Sequence, residues 1–291
     1  MSGAVQAGYA PQTGPDEPTP TRGRSRWLLV VTVAWAVLLG ALTWVSVRDD
    51  GPTVREQRTL AQAGPVVDRA VGELVAAAGD RVVALAPDRI ETGCRVTPLL
   101  DGATLERAVE VADPGADPRA VLTQIADRLP AGWRAGVRVT GDGPRLRADA
   151  GEFVLVAGRP AGDGLVRLTV RTGCRPVGAG YRPPAAQGGP EAEALAAALR
   201  ALGGPTVPPQ RPAAAPEPQL LAAPCPGGGD RQARTARATL DPAPEAPSRA
   251  LAALARDAVL VDTPEAYAYR QDAVTVALLG DELTATTSCA P

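Results

Sequence analysis

Charge is missing from one long stretch near the start of the chain. From Trp27 to Val47 the sequence reads Trp-Leu-Leu-Val-Val-Thr-Val-Ala-Trp-Ala-Val-Leu-Leu-Gly-Ala-Leu-Thr-Trp-Val-Ser-Val. A helix of about 21 residues, rising about 1.5 Å per residue, covers the roughly 30 Å of a hydrocarbon core. Trp27 and Trp44 stand near its ends, where indole rings favour the headgroup region. Arg22, Arg24 and Arg26 precede it, whereas Arg48 beyond it is followed by Asp49 and Asp50. By the positive-inside rule the N-terminus is expected in the cytoplasm and the rest of the chain outside. The apolar stretch exceeds the 7–15 residues usual for a cleaved signal, and Ala41-Leu42-Thr43 is a poor cleavage site, so a retained signal anchor is expected. Residues 1–26 are rich in Gly, Pro, Gln and Thr and offer little to bury, which predicts a disordered tail; Thr19 and Thr21 lie beside its arginines.

After the anchor the hydrophobic period changes, and it changes in the same order twice. A helix-like stretch at 66–78 precedes Cys94. A candidate strand at 104–111 follows, then Asp113-Pro114, then an amphipathic helix at 118–129 with Val121, Leu122, Ile125 and Leu129 on one face. Strands at 136–140, 152–158 and 165–172 end on Cys174. A second helix-like stretch at 191–202 precedes Cys225. Then come a strand at 233–240, Asp241-Pro242, a helix at 247–256, and strands at 258–261, 266–270, 274–279 and 282–288, the last running up to Cys289. The repetition predicts a duplicated unit. Helices followed by sequential strands give an α+β fold class, each unit an antiparallel sheet with helices on one face. The expected organisation is a tail (1–26), a transmembrane helix (27–47), a juxtamembrane stalk (48–63), a first domain (64–174), a Pro/Gly/Ala-rich linker (175–189) and a second domain (190–291). A Pro-rich segment at 203–224 falls inside the second domain.

The four cysteines all follow the anchor, an even number on the side expected to be exported. That arrangement predicts disulfides formed in an oxidising compartment. Four cysteines allow three pairings. The duplication selects Cys94–Cys174 and Cys225–Cys289, one bond in each unit.

Composition narrows the chemistry. All 30 basic residues are arginine, and neither lysine, histidine nor asparagine occurs. Alanine, arginine, glycine and proline fill their places, a bias that fits a bacterium with a GC-rich genome. Without histidine, Ser-His-Asp and Cys-His arrangements and His-ligated metals are excluded. Without lysine, Ser-Lys dyads, Schiff bases and the Gly-Lys-Ser/Thr phosphate loop are excluded. The formal charge of −2 and the absence of a basic stripe exclude a nucleic-acid binder. No Asp-x-Asp-x-Asp-Gly calcium loop occurs, and no cofactor is expected.

What survives is thin. Asp262-Thr263-Pro264 resembles the Asp-Thr-Gly of aspartic proteases, but proline replaces glycine and no second copy exists, so a turn is expected. Gly227-Gly228-Gly229-Asp230 also reads as a turn. Tyr267 and Tyr269 alternate on one strand face as core residues do. Arg134, Arg138, Arg145 and Arg147 cluster around a predicted hairpin and are candidates for contact with an anionic envelope polymer or headgroup, although Asp142 and Asp149 intersperse them. The expected function is a non-catalytic binding or scaffold protein of the cell envelope, held in the bilayer by 27–47 and partnered by an envelope protein or polymer. The alternatives are a carboxylate-dependent hydrolase of envelope polysaccharide and a structural subunit of a membrane complex.

Overall fold

The apolar stretch is a single helix, α1 (Arg22–Asp49), in a computed structural model that describes residues 22–49, 58–162, 164–203, 218–227 and 229–289. The N-terminal tail before residue 22, with Thr19 and Thr21, and stalk residues 50–57 lie outside the described residues. From Trp27 to Trp44 every side chain of α1 is exposed, and the window is long and apolar enough to cross a membrane. A soluble core helix would bury one face. Thr32 and Thr43 turn their hydroxyls back onto the carbonyls of Leu28 (2.9 Å) and Leu39 (2.7 Å), which satisfies them without water.

The chain divides into two compact units, Met1–Thr53 and Val54–Pro291. Within the second, α2 (Leu60–Ala78) starts six residues earlier than the hydrophobic pattern suggested. Its start is fixed by a capping box: Thr59 Oγ1 accepts from the Gln62 amide (3.4 Å), and Gln62 Oε1 accepts from the Thr59 amide (3.0 Å). The strands β1 (Val82–Thr97) and β2 (Leu100–Ala112) form a long hairpin. The helix α3 (Pro118–Arg128) begins on an Asp117 cap with Pro118 in its first turn, and β3 (Gly136–Thr140), β4 (Gly143–Asp149), β5 (Val154–Gly162) and β6 (Leu165–Thr172) follow. The second half repeats this order: α4 (Pro190–Leu202), β7 (Gln219–Pro224), β8 (Gln232–Thr239), α5 (Pro247–Leu251), β9 (Ala258–Asp262), β10 (Ala266–Gln271), β11 (Val274–Leu279) and β12 (Glu282–Thr287).

Both sheets are antiparallel and six-stranded, and their strand orders, β1-β2-β6-β5-β4-β3 and β7-β8-β12-β11-β10-β9, are the same permutation. The fold is therefore α+β with two similar halves. Within the Pro-rich segment 203–224, residues 219–224 form a strand that the sequence reading did not include, β7, with Ala222 and Ala223 buried. Helix α5 is also shorter than expected and gives way to a 3-10 turn, Ala252–Leu254.

Each sheet covers its inner face with its own helices. In the first half Val67, Val71 and Leu74 of α2 and Leu122 and Ile125 of α3 pack on Leu85, Val109, Leu146, Val156 and Leu168. In the second, Leu195 of α4 and Leu251 of α5 pack on Tyr267, Tyr269, Val276, Leu278 and Leu283. Each such aliphatic side chain contributes about 1.5–3 kcal/mol when fully buried.

The halves also join. Val82 and Ala112 of the first sheet pack against Val261, Ala268 and Ala277 of the second. Along the free edge of β1, the Leu85 amide donates to Thr235 Oγ1 (3.0 Å) and its carbonyl accepts from Arg237 Nη1 (2.9 Å), so the edge is covered rather than left open. Gly72 of α2 lies so close to the Pro224 carbonyl that a Cβ would stand 1.8 Å from the oxygen.

The disulfides are Cys94–Cys174 and Cys225–Cys289, with Cα separations of 5.9 and 5.4 Å. This is the pairing the duplication selects. In each half the bond ties the end of the first strand to the residue two beyond the last strand.

Candidate functional site

Each half buries a carboxylate from its first helix against an arginine from its second strand. In the first, Arg107 Nη1 donates to Asp68 of α2 (2.6 Å), its Nε donates to Asp88 of β1 (2.7 Å), and its Nη2 donates to the Ala222 carbonyl of β7 (2.9 Å). The Tyr181 hydroxyl completes the group by donating to Asp68 (2.6 Å). Burial pushes the Asp68 carboxyl above its ordinary value, with Tyr181 and Arg107 pulling it back. At Arg107 burial opposes the charge, but the carboxylates of Asp88 and Asp68 outweigh it and hold the guanidinium above its usual value. Burial also drives the Tyr181 phenol upward, so it remains a donor.

In the second half Arg234 and Glu191 take these places. Arg107 and Arg234 sit equally far from their strand ends, Ala112 and Thr239. Yet Arg234 Nε stands 3.7 Å from a Glu191 carboxylate that is 0% exposed, and neither Glu191 oxygen has a hydrogen-bond partner in the structure. Both pairs are parts of the core; the satisfied one also anchors residues 175–189. That segment has no helix or strand of its own, but it is held at Leu60 (amide to Pro176 carbonyl, 2.9 Å), Ala103 and Asp68.

The outer faces of the two sheets differ more. In the second sheet the face away from its helices carries Thr235, Thr284, Thr286, Ala268 and Ala277, all buried beneath the first half. In the first sheet only the β1, β2 and upper β6 end of that face is covered. Over β3, β4 and β5 it is bare. Arg138 of β3 lies opposite Arg145 of β4, and Arg147 lies two residues along on the same side, since Leu146 and Ala148 between and beyond them point inward. Three of the four sequence candidates thus meet on one surface. Arg134 does not join them: it ends a 3-10 turn and pairs with Asp149 at 3.4 Å.

The structure adds three arginines that the hairpin clustering did not suggest. The β4–β5 ladder pairs Leu146 with Gly158, so one step further sets Arg145 beside Arg159. Arg159 pairs with Arg167 of β6, and Arg171 lies further along that strand. Their signal was present as alternation, with Arg167, Thr169 and Arg171 interleaved with Val166, Leu168 and Val170. Arg167 pairs with Glu110, Arg171 with Glu91 (3.2 Å) and Arg145 with Asp142 (3.7 Å). No carboxylate among the described residues lies within 4 Å of Arg138, Arg147 or Arg159.

The other candidates are structural. Thr263 closes the turn from β9 to β10 by hydrogen bonds with Ala266, and Gly227 and Gly229 take positive φ (60° and 57°) in the turn before β8. Tyr267 and Tyr269 belong to the second core, where burial raises the Tyr269 phenol to about 12. A separate cleft of about 250 Å³ holds two carboxylates, Asp80 and Asp272, with Arg81, Arg270, Thr275 and Thr286. No family of known proteins, no curated protein and no solved structure matches the chain.

Proposed function

We propose that the chain is a single-pass envelope protein whose N-terminus lies in the cytoplasm and whose unit from Val54 to Pro291 stands outside as a binding or scaffold module. The bare apolar helix, the arginines that precede it in the sequence and the two disulfides support that placement. The observation that carries the binding role is the difference between two equivalent faces. The second sheet buries its outer face in the fold, whereas the first leaves its own open and lines it with arginine.

Two measurements test this. A reporter active only outside the membrane should work when fused after Pro291 and fail near Gly14; the reverse result overturns the topology. A photo-crosslinking residue at Ala157, on the bare face, should capture an envelope component in cells, whereas one at Arg200 of α4 should not. Equal capture at both sites would remove the face from consideration. A second reading, a carboxylate-dependent hydrolase, is favoured only by the cleft that holds Asp80 and Asp272. There Asp272 takes a positive φ of 53°, a strained backbone for a residue other than glycine. Turnover of an envelope polysaccharide that disappears in Asp272→Asn would promote it.

A further inference from the structure

We propose that the bare face of the first sheet binds a linear polyanion that lies across the strands, along the row Arg138, Arg145, Arg159 and Arg167. This rests on the module reading above and adds the chemical class of its ligand.

The row follows from the register. Four neighbouring strands, β3, β4, β5 and β6, each place one arginine at the same level of the same face. At about 4.8 Å between strands the four cover about 14 Å. Like charges directly opposite each other on adjacent strands destabilise a sheet, and here the repulsion is repeated from strand to strand. Glu110 relieves it at one end through Arg167, and Asp142 stands 3.7 Å from Arg145, but among the described residues no carboxylate comes within ion-pair distance of Arg138 or Arg159. The sheet needs none of this for its core, because Leu146, Val156, Gly158 and Leu168 on the other face supply the packing. A repulsive row that the fold does not require is explained by an external anion that neutralises it.

The shape of the row indicates what kind of anion. A single small anion would use one or two guanidinium forks. A chain with a negative group every few ångströms would meet one fork per strand and release counterions at each. An anionic bilayer surface is the rival: the face offers Leu155 as its exposed aliphatic side chain on β5, the next same-face position beyond Ala157 from the row, and the vesicle arm of the test decides between the two. Arg147, two residues from Arg145 on the same side, widens the row on the β4 side, where Ala157 and Thr169 leave open space beside it.

The test uses the full chain in nanodiscs of zwitterionic phosphatidylcholine. Short-chain inorganic polyphosphate and polygalacturonate serve as phosphate and carboxylate probes, and phosphatidylglycerol vesicles serve as the lipid rival. The wild type should bind at least one polymer saturably, with affinity that falls as salt rises. The triple variant Arg138→Ser, Arg145→Ser, Arg159→Ser should bind at least tenfold more weakly. Its slope of log affinity against log salt should be shallower by about 2–3, at the roughly 0.7–0.9 per cation known for nucleic-acid polyanions. A control triple with the same charge loss, Arg182→Ser, Arg200→Ser, Arg256→Ser, should leave binding within about twofold. Equal loss in both triples would reduce the effect to net charge and overturn the proposal. So would binding to the vesicles that neither polymer competes for, or failure of the wild type to bind either polymer. The crosslink at Ala157 is independent of these outcomes: if it persists while polymer binding fails, the module reading stands and the polyanion assignment falls.

Discussion

The two halves share one topology and have solved the same two problems differently. Both bury a helix carboxylate against a strand arginine, but Arg107 meets three hydrogen-bond partners while Glu191 and Arg234 make no hydrogen bond to each other. Both have a sheet face that their own helices leave uncovered, but the second half hides its face against the first, and the first leaves most of its own in solvent. The second half therefore acts largely as a support for the first. It supplies the Ala222 carbonyl to Arg107, Thr235 and Arg237 to the open edge of β1, and Pro224 to the back of α2.

The sharpest way to break this comparison is to remove the two arginines separately. Arg107→Met strands the buried Asp68 and the half-buried Asp88 and should cost about 3–5 kcal/mol, measured by denaturant unfolding of the full chain in detergent. The double change Glu191→Leu, Arg234→Met replaces an unsatisfied pair by apolar groups and should be neutral or stabilising. Equal losses would mean that the two pairs are energetically alike despite their geometry.

Next come the disulfides. Their loops, with separations of 80 and 64 residues, each imply about 4 kcal/mol by chain entropy. Cys225 and Cys289 belong to the core that contains α2, whereas Cys94 and Cys174 lie outside that cluster, so Cys225→Ser with Cys289→Ser should loosen both halves. Hydrogen exchange read separately on β6 and β12 distinguishes this from damage confined to the second half. Gly72→Val should cost about 1–3 kcal/mol by forcing α2 away from Pro224. The smallest effect is expected from Thr235→Val, which leaves the buried Leu85 amide without its acceptor, at about 1–2 kcal/mol. No change on Thr235→Val would show that the β1 edge does not depend on the second half.

Much of this was legible in the sequence wherever one periodicity ran long enough. The helices at 118–129 and 191–202, and the strands from Val154 onward other than β7, show apolar residues at the spacing their burial requires. The duplication was readable from element order, and it carried the disulfide pairing. Three strands were not readable. In β1, Pro87, Asp88 and Arg89 interrupt the apolar run. In β4, Pro144 and alternating arginines hide Leu146 and Ala148. In β7, a Pro/Ala-rich neighbourhood hides a strand whose buried residues are only Ala222 and Ala223. The start of α2 was obscured by Pro65, which lies inside the helix although the capping box at Thr59 and Gln62 begins it earlier. The arginine face was seen in part because Arg138, Arg145 and Arg147 are close in sequence; Arg159 and Arg167 join them only through strand pairing, which local spacing does not reveal.

The hydrogen bond from Arg107 to Ala222 spans 115 positions of sequence and crosses from one half to the other. A chain stopped at residue 189, before α4, would have a first half whose central cation lacks one acceptor and whose β1 edge is open. The second half alone would expose the alanine and threonine surface on which that edge rests. Each fragment thus presents what the other lacks. Divided between residues 189 and 190, the separately produced pieces should recombine, which would make the pair usable as a split reporter.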